Sequence, residues 1–278
     1  MSEGLRLRLL YVAMGVAAWL AYRLLGLRRS VIRQNLARSF PGLGGRERRA
    51  IERDFSRRQG ELAAEVIFAA RIGEAELRER VAFPDPALLE SRGRSKPIVL
   101  VGAHHGNFEW AMQRLSLEMP GRFVCLYKPL RNPKVDGWMR RLRSRFGARL
   151  IPAKTVLREL AQSRDLAAVG LIADQVPRTS PEKHWLSFLG QDTAFYMGPE
   201  LLGRALRTRV AFMRMRRVAR GRYEIELEAL NEPGETLPHG ALTERYARTL
   251  ERWIRDDPAG WWWSHRRWKL RRDGRYGG

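Results

Sequence analysis

The sequence contains little cysteine and shows no internal repeats. Its 278 residues contain one cysteine, Cys125, so no disulfide can form within the chain, which fits a protein on the cytosolic side of a membrane. No repeat, linker or low-complexity segment interrupts residues 95–256. These absences exclude disulfide-stapled and repeat architectures, and they favour one globular domain.

Acidic residues are too few to balance the basic ones. Fifty-two Lys and Arg stand against 30 Asp and Glu, which gives a formal net charge of +22. Such a charge favours nucleic acid, anionic lipid or an acidic carrier protein as partner, although an arginine-rich genome would explain part of it. The charge is spread along the chain, with no evident recognition helix or aromatic platform, so we expect no nucleic-acid partner.

The longest apolar run lies near the start of the chain, at residues 9–27, and its one charge is Arg23. Basic residues flank it on both sides: Arg6, Arg8, Arg28 and Arg29. A bilayer-spanning helix needs about 20 apolar residues, so the length is borderline, and the flanking charges select no orientation. No small-residue cleavage site follows the run, which argues against a removed signal peptide. We predict that residues 1–29 form a membrane anchor that either spans the bilayer or lies in its interface, the alternative being a buried first helix.

From residue 30 onward, short apolar runs alternate with helical patterns. Strands are predicted at 97–101, 123–127, 149–151, 166–172, 210–215 and 223–230. Helices are predicted at 30–40, 45–72, 108–117, 133–146, 155–162, 198–206 and 243–255. This alternation is typical of an α/β domain with a largely parallel sheet, and we assign it to residues 30–278.

Polar residues follow the first predicted strand in the segment HHGNFE, residues 104–109. In open α/β sheets, sites form at the carboxyl ends of the strands. We expect Glu109 to fold back and hydrogen-bond the His104 imidazole, which fixes the tautomer and leaves the other ring nitrogen to take a proton. Because no Ser or Cys lies nearby, we expect an acceptor hydroxyl to be deprotonated directly and to attack a thioester.

Two other readings of this segment stay open. A histidine and a glutamate at this spacing also occur by chance in purely structural roles. A metal ion could bind His104, His105 and Glu109, but no further clear ligand lies nearby, so we expect no metal and no cofactor. His105 could replace His104 as the base, but the spacing to Glu109 favours His104.

Several further segments occur in a characteristic order around this motif. They are RRSVIRQNL at 28–36, YKPLRNP at 127–133, RLR at 141–143, ADQ at 173–175, MGP at 197–199 and WWSHRRWK at 262–269. Together with HHGNFE they resemble the lipid A late acyltransferase family, the lauroyl- and myristoyltransferases of the wider lysophospholipid acyltransferase superfamily. That family's hallmark is a histidine, four residues, then Asp or Glu.

The resemblance implies a glycerol-phosphate-acyltransferase-like fold and roles for named residues. His104 and Glu109 match the catalytic pair. Substrate contacts are implied for Gly106, Asn107, Arg143, Arg141, Asp174 and Gln175. Of the two arginines we favour Arg143, which could hold a phosphate of the acceptor or of the donor's phosphopantetheine arm.

Local chemistry adds expectations for the smaller residues. Gly106 and Asn107 are expected to shape the turn, and the Gly106 N–H could stabilise the thioester oxyanion. Asp174 is expected at the same sheet edge as His104, the alternative being a helix or turn cap. The Trp261–Trp263 run beside Arg266 is expected either at a membrane interface or in a site wall.

The resemblance implies transfer of a fatty acyl chain from acyl carrier protein to a hydroxyl of a lipid A precursor, in lipopolysaccharide biosynthesis. The expected place is the cytoplasmic face of the inner membrane, on anionic lipid. The alternative is another glycolipid or aminolipid acceptor, such as a phosphatidylinositol mannoside, with acyl carrier protein or coenzyme A as donor.

Overall fold

The structure is a computed structural model that describes residues 3–86, 89, 96–163, 165–177 and 182–273. The helices are α1 (Glu3–Trp19, continued by a π-helical turn at Leu20–Leu24), α2 (Arg29–Ser39), α3 (Gly45–Phe68), α4 (Glu74–Arg80), α5 (Phe108–Glu118), α6 (Pro133–Ser144), α7 (Val156–Gln162), α8 (Gly198–Leu206) and α9 (Ala241–Asp256). The strands are β1 (Val81–Ala82), β2 (Ile98–Gly102), β3 (Phe123–Tyr127), β4 (Arg149–Pro152), β5 (Ala168–Ile172), β6 (Lys183–Phe188), β7 (Gln191–Tyr196), β8 (Val210–Ala219) and β9 (Arg222–Ala229).

Seven strands form one sheet in the order β1-β9-β8-β2-β5-β3-β4. Neighbouring strands run parallel except β8 and β9, which are antiparallel. All five residues of β2 are buried, as expected for a central strand covered by helices on both faces. The predicted α/β fold with a largely parallel sheet is therefore confirmed.

The alternation of side chains along β2 divides the core between the two faces of the sheet. Val99 and Val101 join one apolar cluster with Phe55 of α3 and Trp263 near the C-terminus. The intervening β2 residues belong to a second cluster that includes α4 and α5. Cys125 lies in this second cluster as a buried free thiol, and burial raises its pKa.

The hairpin of β6 and β7 is absent from the predicted elements. Its turn is Leu189-Gly190, where both residues have positive φ, 50° and 74°. Such a two-residue turn matches the twist of a hairpin and strongly favours glycine at the second position. The signal in the sequence was therefore the Leu-Gly turn between two short alternating segments. Helix α4 and the two-residue β1 were also not predicted.

Helix α1 packs along α3 in an antiparallel direction. Tyr22 lies against Phe55, with ring centroids 6.1 Å apart, and the Tyr11 hydroxyl donates to Glu65 at 2.8 Å. A Cβ on Gly60 would lie 2.8 Å from the Met14 carbonyl oxygen, so glycine allows this close approach. Among the described residues, Gly4–Leu24 forms one helix long and apolar enough to cross a membrane. The domain boundary after residue 29 stays a prediction.

Candidate active site

Two parallel neighbouring strands bring His104 and Asp174 to one edge of the sheet. Gly102, the last residue of β2, is in register with Ile172, the last residue of β5. His104 and Asp174 each lie two residues beyond those ends, so the chain places them opposite each other. The expected location of Asp174 beside His104 is confirmed.

Asp174 holds the His104 imidazole. Its Oδ1 lies 2.6 Å from His104 Nδ1, and its Oδ2 accepts hydrogen bonds of 2.9 Å from the His104 backbone N–H and from the Trp261 indole N–H. Burial alone raises the pKa of the Asp174 carboxyl, but the His104 ring and these donors lower it to about 2. The carboxylate is therefore ionised at neutral pH, and it keeps the proton of a neutral imidazole on Nδ1.

The expected hydrogen bond between Glu109 and His104 is wrong. Glu109 lies in the first turn of α5, and both its oxygens accept hydrogen bonds from Arg143 of α6, from Nε at 2.9 Å and from Nη2. Successive helical residues point about 100° apart. The Phe108 ring faces His104, with centroids 5.0 Å apart, so the next side chain turns toward α6 instead.

The structure separates the two candidate arginines. Arg143 is mostly buried, forms the two-point ion pair with Glu109 and lies 5.6 Å from the centre of the Tyr127 ring. Arg141 lies on the exposed face of α6. The geometry thus brings Arg143, and not Arg141, to the side of α6 that faces α5. Within the described part of the chain, Nη1 of Arg143 makes no hydrogen bond, so this edge of the guanidinium can meet a ligand.

The second ring nitrogen of His104 is available for proton transfer. Gln175 places its side-chain nitrogen 3.2 Å from His104 Nε2, and the Gln175 side chain is exposed. Trp262 lies against the other side of the ring, with centroids 4.8 Å apart. Because Asp174 occupies Nδ1, Nε2 of the neutral ring is a hydrogen-bond acceptor, and its neighbour Gln175 is an exposed side chain.

Gly106 and Asn107 shape the turn that follows His104. Gly106 has φ of 68°, and a Cβ there would be 2.6 Å from the Met215 carbonyl oxygen. Its N–H donates to the Gly260 carbonyl at 3.2 Å, so it would have to break this bond to serve an oxyanion. Asn107 is fully buried, and its side-chain oxygen caps α5 by accepting the Trp110 N–H at 3.0 Å. Both polar atoms of the Asn107 side chain thus hold the turn, through Trp110 and Glu65.

Two residues make contacts here that the sequence did not predict: one supports this turn, and the other, from the Trp261–Trp263 run expected at a membrane interface or in a site wall, supports Asp174. Glu65 of α3 is fully buried and accepts hydrogen bonds from Asn107, Tyr11 and Tyr223 at 2.7–2.8 Å. Burial raises the pKa of the Glu65 carboxyl, and these donors oppose the rise. Trp261 is the second, through its bond to Asp174. Both positions come from chain segments distant in sequence, so no local pattern pointed to these contacts.

His105 is structural. It is buried, its Nε2 lies 3.0 Å from the Asp257 carbonyl oxygen, and burial lowers its pKa. Among the described residues, no group of three or more His, Cys, Asp or Glu side chains is arranged to hold a metal ion. Of the two rings, His104 is the one paired with a carboxylate side chain, Asp174, whereas His105 is buried against a backbone carbonyl.

A cavity of about 360 Å³ lies apart from these residues. It is largely apolar and is lined by Ser39, Phe40, Pro41, Gly42, Leu43, Leu189, Gly190 and Arg255. None of these residues touches His104 or Asp174 by hydrogen bond within the described chain. Packed aromatic rings lie between the cavity and the site, since Phe40 contacts Trp263 and Trp263 contacts Trp261.

The pair of His104 and Asp174 is suited to accepting a proton, and the mostly buried Arg143 is suited to binding an anionic group. The chain matches no curated protein. The family model described as bacterial lipid A biosynthesis acyltransferase matches residues 7–270, nearly the whole chain. The protein therefore belongs to the bacterial lipid A biosynthesis acyltransferase family.

Proposed function

We propose that the protein transfers a fatty acyl chain from the thioester of acyl carrier protein to a hydroxyl of a lipid A precursor, at the cytoplasmic face of the inner membrane. The observation that carries the proposal is the hydrogen bond of 2.6 Å between His104 and a buried, ionised Asp174. This pair makes His104 Nε2 a proton acceptor whose charged product is stabilised. Family membership supplies the reaction class.

In this mechanism His104 Nε2 takes the proton of the acceptor hydroxyl while the oxygen attacks the thioester carbonyl carbon. The C–O bond forms, the C–S bond breaks, and the leaving thiolate receives the proton from Nε2. Asp174 remains ionised throughout and stabilises the imidazolium. No enzyme nucleophile and no cofactor takes part. The Gln175 amide, next to Nε2, is suited to donate to the oxyanion in place of the Gly106 N–H.

Arg143 is assigned to a phosphate of the acceptor or of the phosphopantetheine arm. Glu109 then acts on Arg143 and not on His104, since its two oxygens fix the guanidinium plane through Nε and Nη2. The remaining Nη1 edge can form charge-assisted hydrogen bonds to a phosphate oxygen. Glu109 is thus a positioning residue in this proposal.

The basic surface supports an acidic donor carrier and an anionic membrane. The formal charge of +22 is spread over the chain, so it attracts both partners without defining one narrow patch. The alternative acceptors, a phosphatidylinositol mannoside or another glycolipid or aminolipid, would use the same chemistry at His104. Coenzyme A as donor would offer phosphates to the same arginine.

Purified protein in mixed micelles tests the proposal. It is incubated with acyl-acyl carrier protein or acyl-coenzyme A, and with a lipid A precursor or a phosphatidylinositol mannoside. Mass spectrometry should find the lipid A precursor heavier by one acyl chain with the carrier protein as donor, and no gain with His104→Ala. Transfer by His104→Ala near the wild-type rate would refute the assignment of the base, and gain only on the mannoside would refute the acceptor.

A further inference from the structure

One face of α1 has no protein partner within the described chain. Leu7, Tyr11 and Ala18 face α3, as do the neighbouring small residues, whereas a stripe on the other side is apolar and exposed. The stripe consists of Leu9, Val12, Val16, Trp19 and Leu20, which are 40–68% exposed. Their spacing of three or four residues places them on one side of the helix.

Helix α1 could cross a bilayer only with Arg8 or Arg23 in the hydrocarbon core. The uncharged run between Arg8 and Arg23, residues 9–22, measures about 21 Å at about 1.5 Å per residue, whereas the hydrocarbon core is about 30 Å thick. Beyond the π-helical turn, Gly26 and Arg28 have positive φ, 63° and 57°, and α2 begins at Arg29. The uncharged length therefore fits a helix that stays on one side of the membrane.

Charged residues on α3, which packs against α1, also argue against a helix that spans the membrane. Next to the middle of α1, α3 carries Arg57 in an ion pair with Glu61, and the Arg57 side chain is 54% exposed. Arg58, one residue further, pairs with Asp54 and Asp257. If α1 crossed the membrane, these charges would have to enter the hydrocarbon core with it, which is costly.

We propose that α1 lies flat in the interface of one anionic membrane leaflet, with its stripe toward the acyl chains and both ends on the same side. Residues 4–29 contain no Asp or Glu, and Arg6, Arg8, Arg23 and Arg28 are exposed around the stripe, where they can meet anionic headgroups. Trp19 lies near one end, a position that favours the headgroup boundary. This proposal rests on the proposed function in one respect: it takes the membrane as the source of the lipid acceptor.

The same helix is connected to the active site. Tyr11 donates to Glu65, and Glu65 accepts from Asn107, three residues after His104. Two hydrogen bonds through Glu65 therefore join the protein-facing side of α1 to the turn that carries His104.

Cysteine labelling in sealed vesicles tests the orientation. Gly4→Cys and Leu27→Cys place a thiol at either end of α1, and the parent chain, whose Cys125 is buried, is the blank. Inner-membrane vesicles of either orientation are treated with a membrane-impermeant maleimide. The proposal expects both thiols to react from the same side. Reaction of the two thiols from opposite sides would show a spanning helix and overturn it.

Depth measurements identify what covers the stripe. Val12→Cys, Val16→Cys and Leu20→Cys are labelled with a fluorophore and quenched by brominated lipid in vesicles of phosphatidylethanolamine and phosphatidylglycerol. Equal, shallow depths are expected at all three positions. A graded depth contradicts the flat orientation, and the absence of quenching at every position means that protein, such as a second copy of the chain, covers the stripe.

A substitution pair completes the test. Val16→Asp should weaken binding to the same vesicles by about tenfold or more, because it replaces a buried apolar group by a charge. Leu157→Asp alters an equally exposed apolar residue on α7, beside the opposite edge of the sheet, and should bind like the parent. Equal loss in both variants overturns the proposal. Acyl transfer is measured separately. If both thiols are labelled from the same side but the protein does not acylate lipid A, the proposed function is refuted and the orientation of α1 stands.

Discussion

At the scale of single residues, the chemistry depends on which carboxylate holds His104. A histidine followed five residues later by a glutamate predicts one partner, and the parallel register of β2 and β5 supplies another, Asp174. The sequence singles out His104 because its motif is local. It does not single out the partner of His104, because the contact joins residues 70 positions apart.

The Nδ1–H proton of His104 should report this partner directly. In nitrogen-15-labelled protein, its resonance should be protected from solvent by the bond to Asp174 and should vanish in His104→Gln, which assigns it. We expect the resonance to persist in Glu109→Gln and to disappear or exchange rapidly in Asp174→Asn. The reverse pattern would mean that Glu109 holds the ring.

Gly106 allows a prediction about the turn itself. Gly106→Ala should lower the free energy of unfolding by about 1–3 kcal/mol, because alanine resists a positive φ and its Cβ would meet the Met215 carbonyl. Thermal unfolding is the measurement, and Gly42→Ala is the control, since a Cβ there meets nothing within 4 Å. Equal melting temperatures for the two variants would contradict the conclusion that the turn depends on glycine at Gly106.

At the scale of secondary-structure elements, the pair of Glu109 and Arg143 joins α5 to α6. Glu109→Gln or Arg143→Gln alone leaves an unbalanced, mostly buried charge, so each should destabilise the fold. The double variant should lose less than the two losses added, with a coupling of about 1–3 kcal/mol. Urea unfolding of the four proteins measures it.

The control for this cycle is the exposed pair of Glu79 and Arg222, where no coupling is expected. Additive losses for Glu109 and Arg143 would show that the two-point ion pair does not persist in solution. Coupling of Glu109→Gln to His104→Gln instead would restore the contact expected from the motif.

Glu65 connects α1, α3, β9 and the turn before α5. Glu65→Ala leaves three donors without their acceptor, and a buried unsatisfied donor costs about 1–3 kcal/mol, so we expect a loss of about 3 kcal/mol or more. Tyr223→Phe removes one donor of the same set and should cost about 1 kcal/mol. If urea unfolding finds Glu65→Ala no worse than Tyr223→Phe, Glu65 is not the centre of this network.

The helices and strands were largely predictable because each has its own local pattern of apolar residues. Central strands such as β2 and β3 are continuous apolar runs, and α9 has an amphipathic repeat, so their limits agree with the predicted ones within a few residues. The hairpin of β6 and β7 was missed because its strands are short and partly polar, and its turn is encoded by a single glycine at Gly190.

At the scale of the whole molecule, ordered motifs identified the family from residue 28 to residue 269, and the family model covers residues 7–270. What the sequence left undetermined is how distant segments combine. Trp261, near the end of the chain, donates to Asp174, and Asn35 of α2 donates to the carbonyls of Trp263 and His265. These contacts depend on tertiary packing, so they become visible only in the folded chain.

The proposed activity should change the lipids of the cell that makes the protein. Mass spectrometry of extracted lipids from cells without the protein should find lipid A lighter by one fatty acyl chain. Supplying the wild-type chain should restore the mass, and supplying His104→Ala, produced at the same level, should not. An unchanged lipid A, or a loss of one acyl chain from another glycolipid instead, would contradict the account.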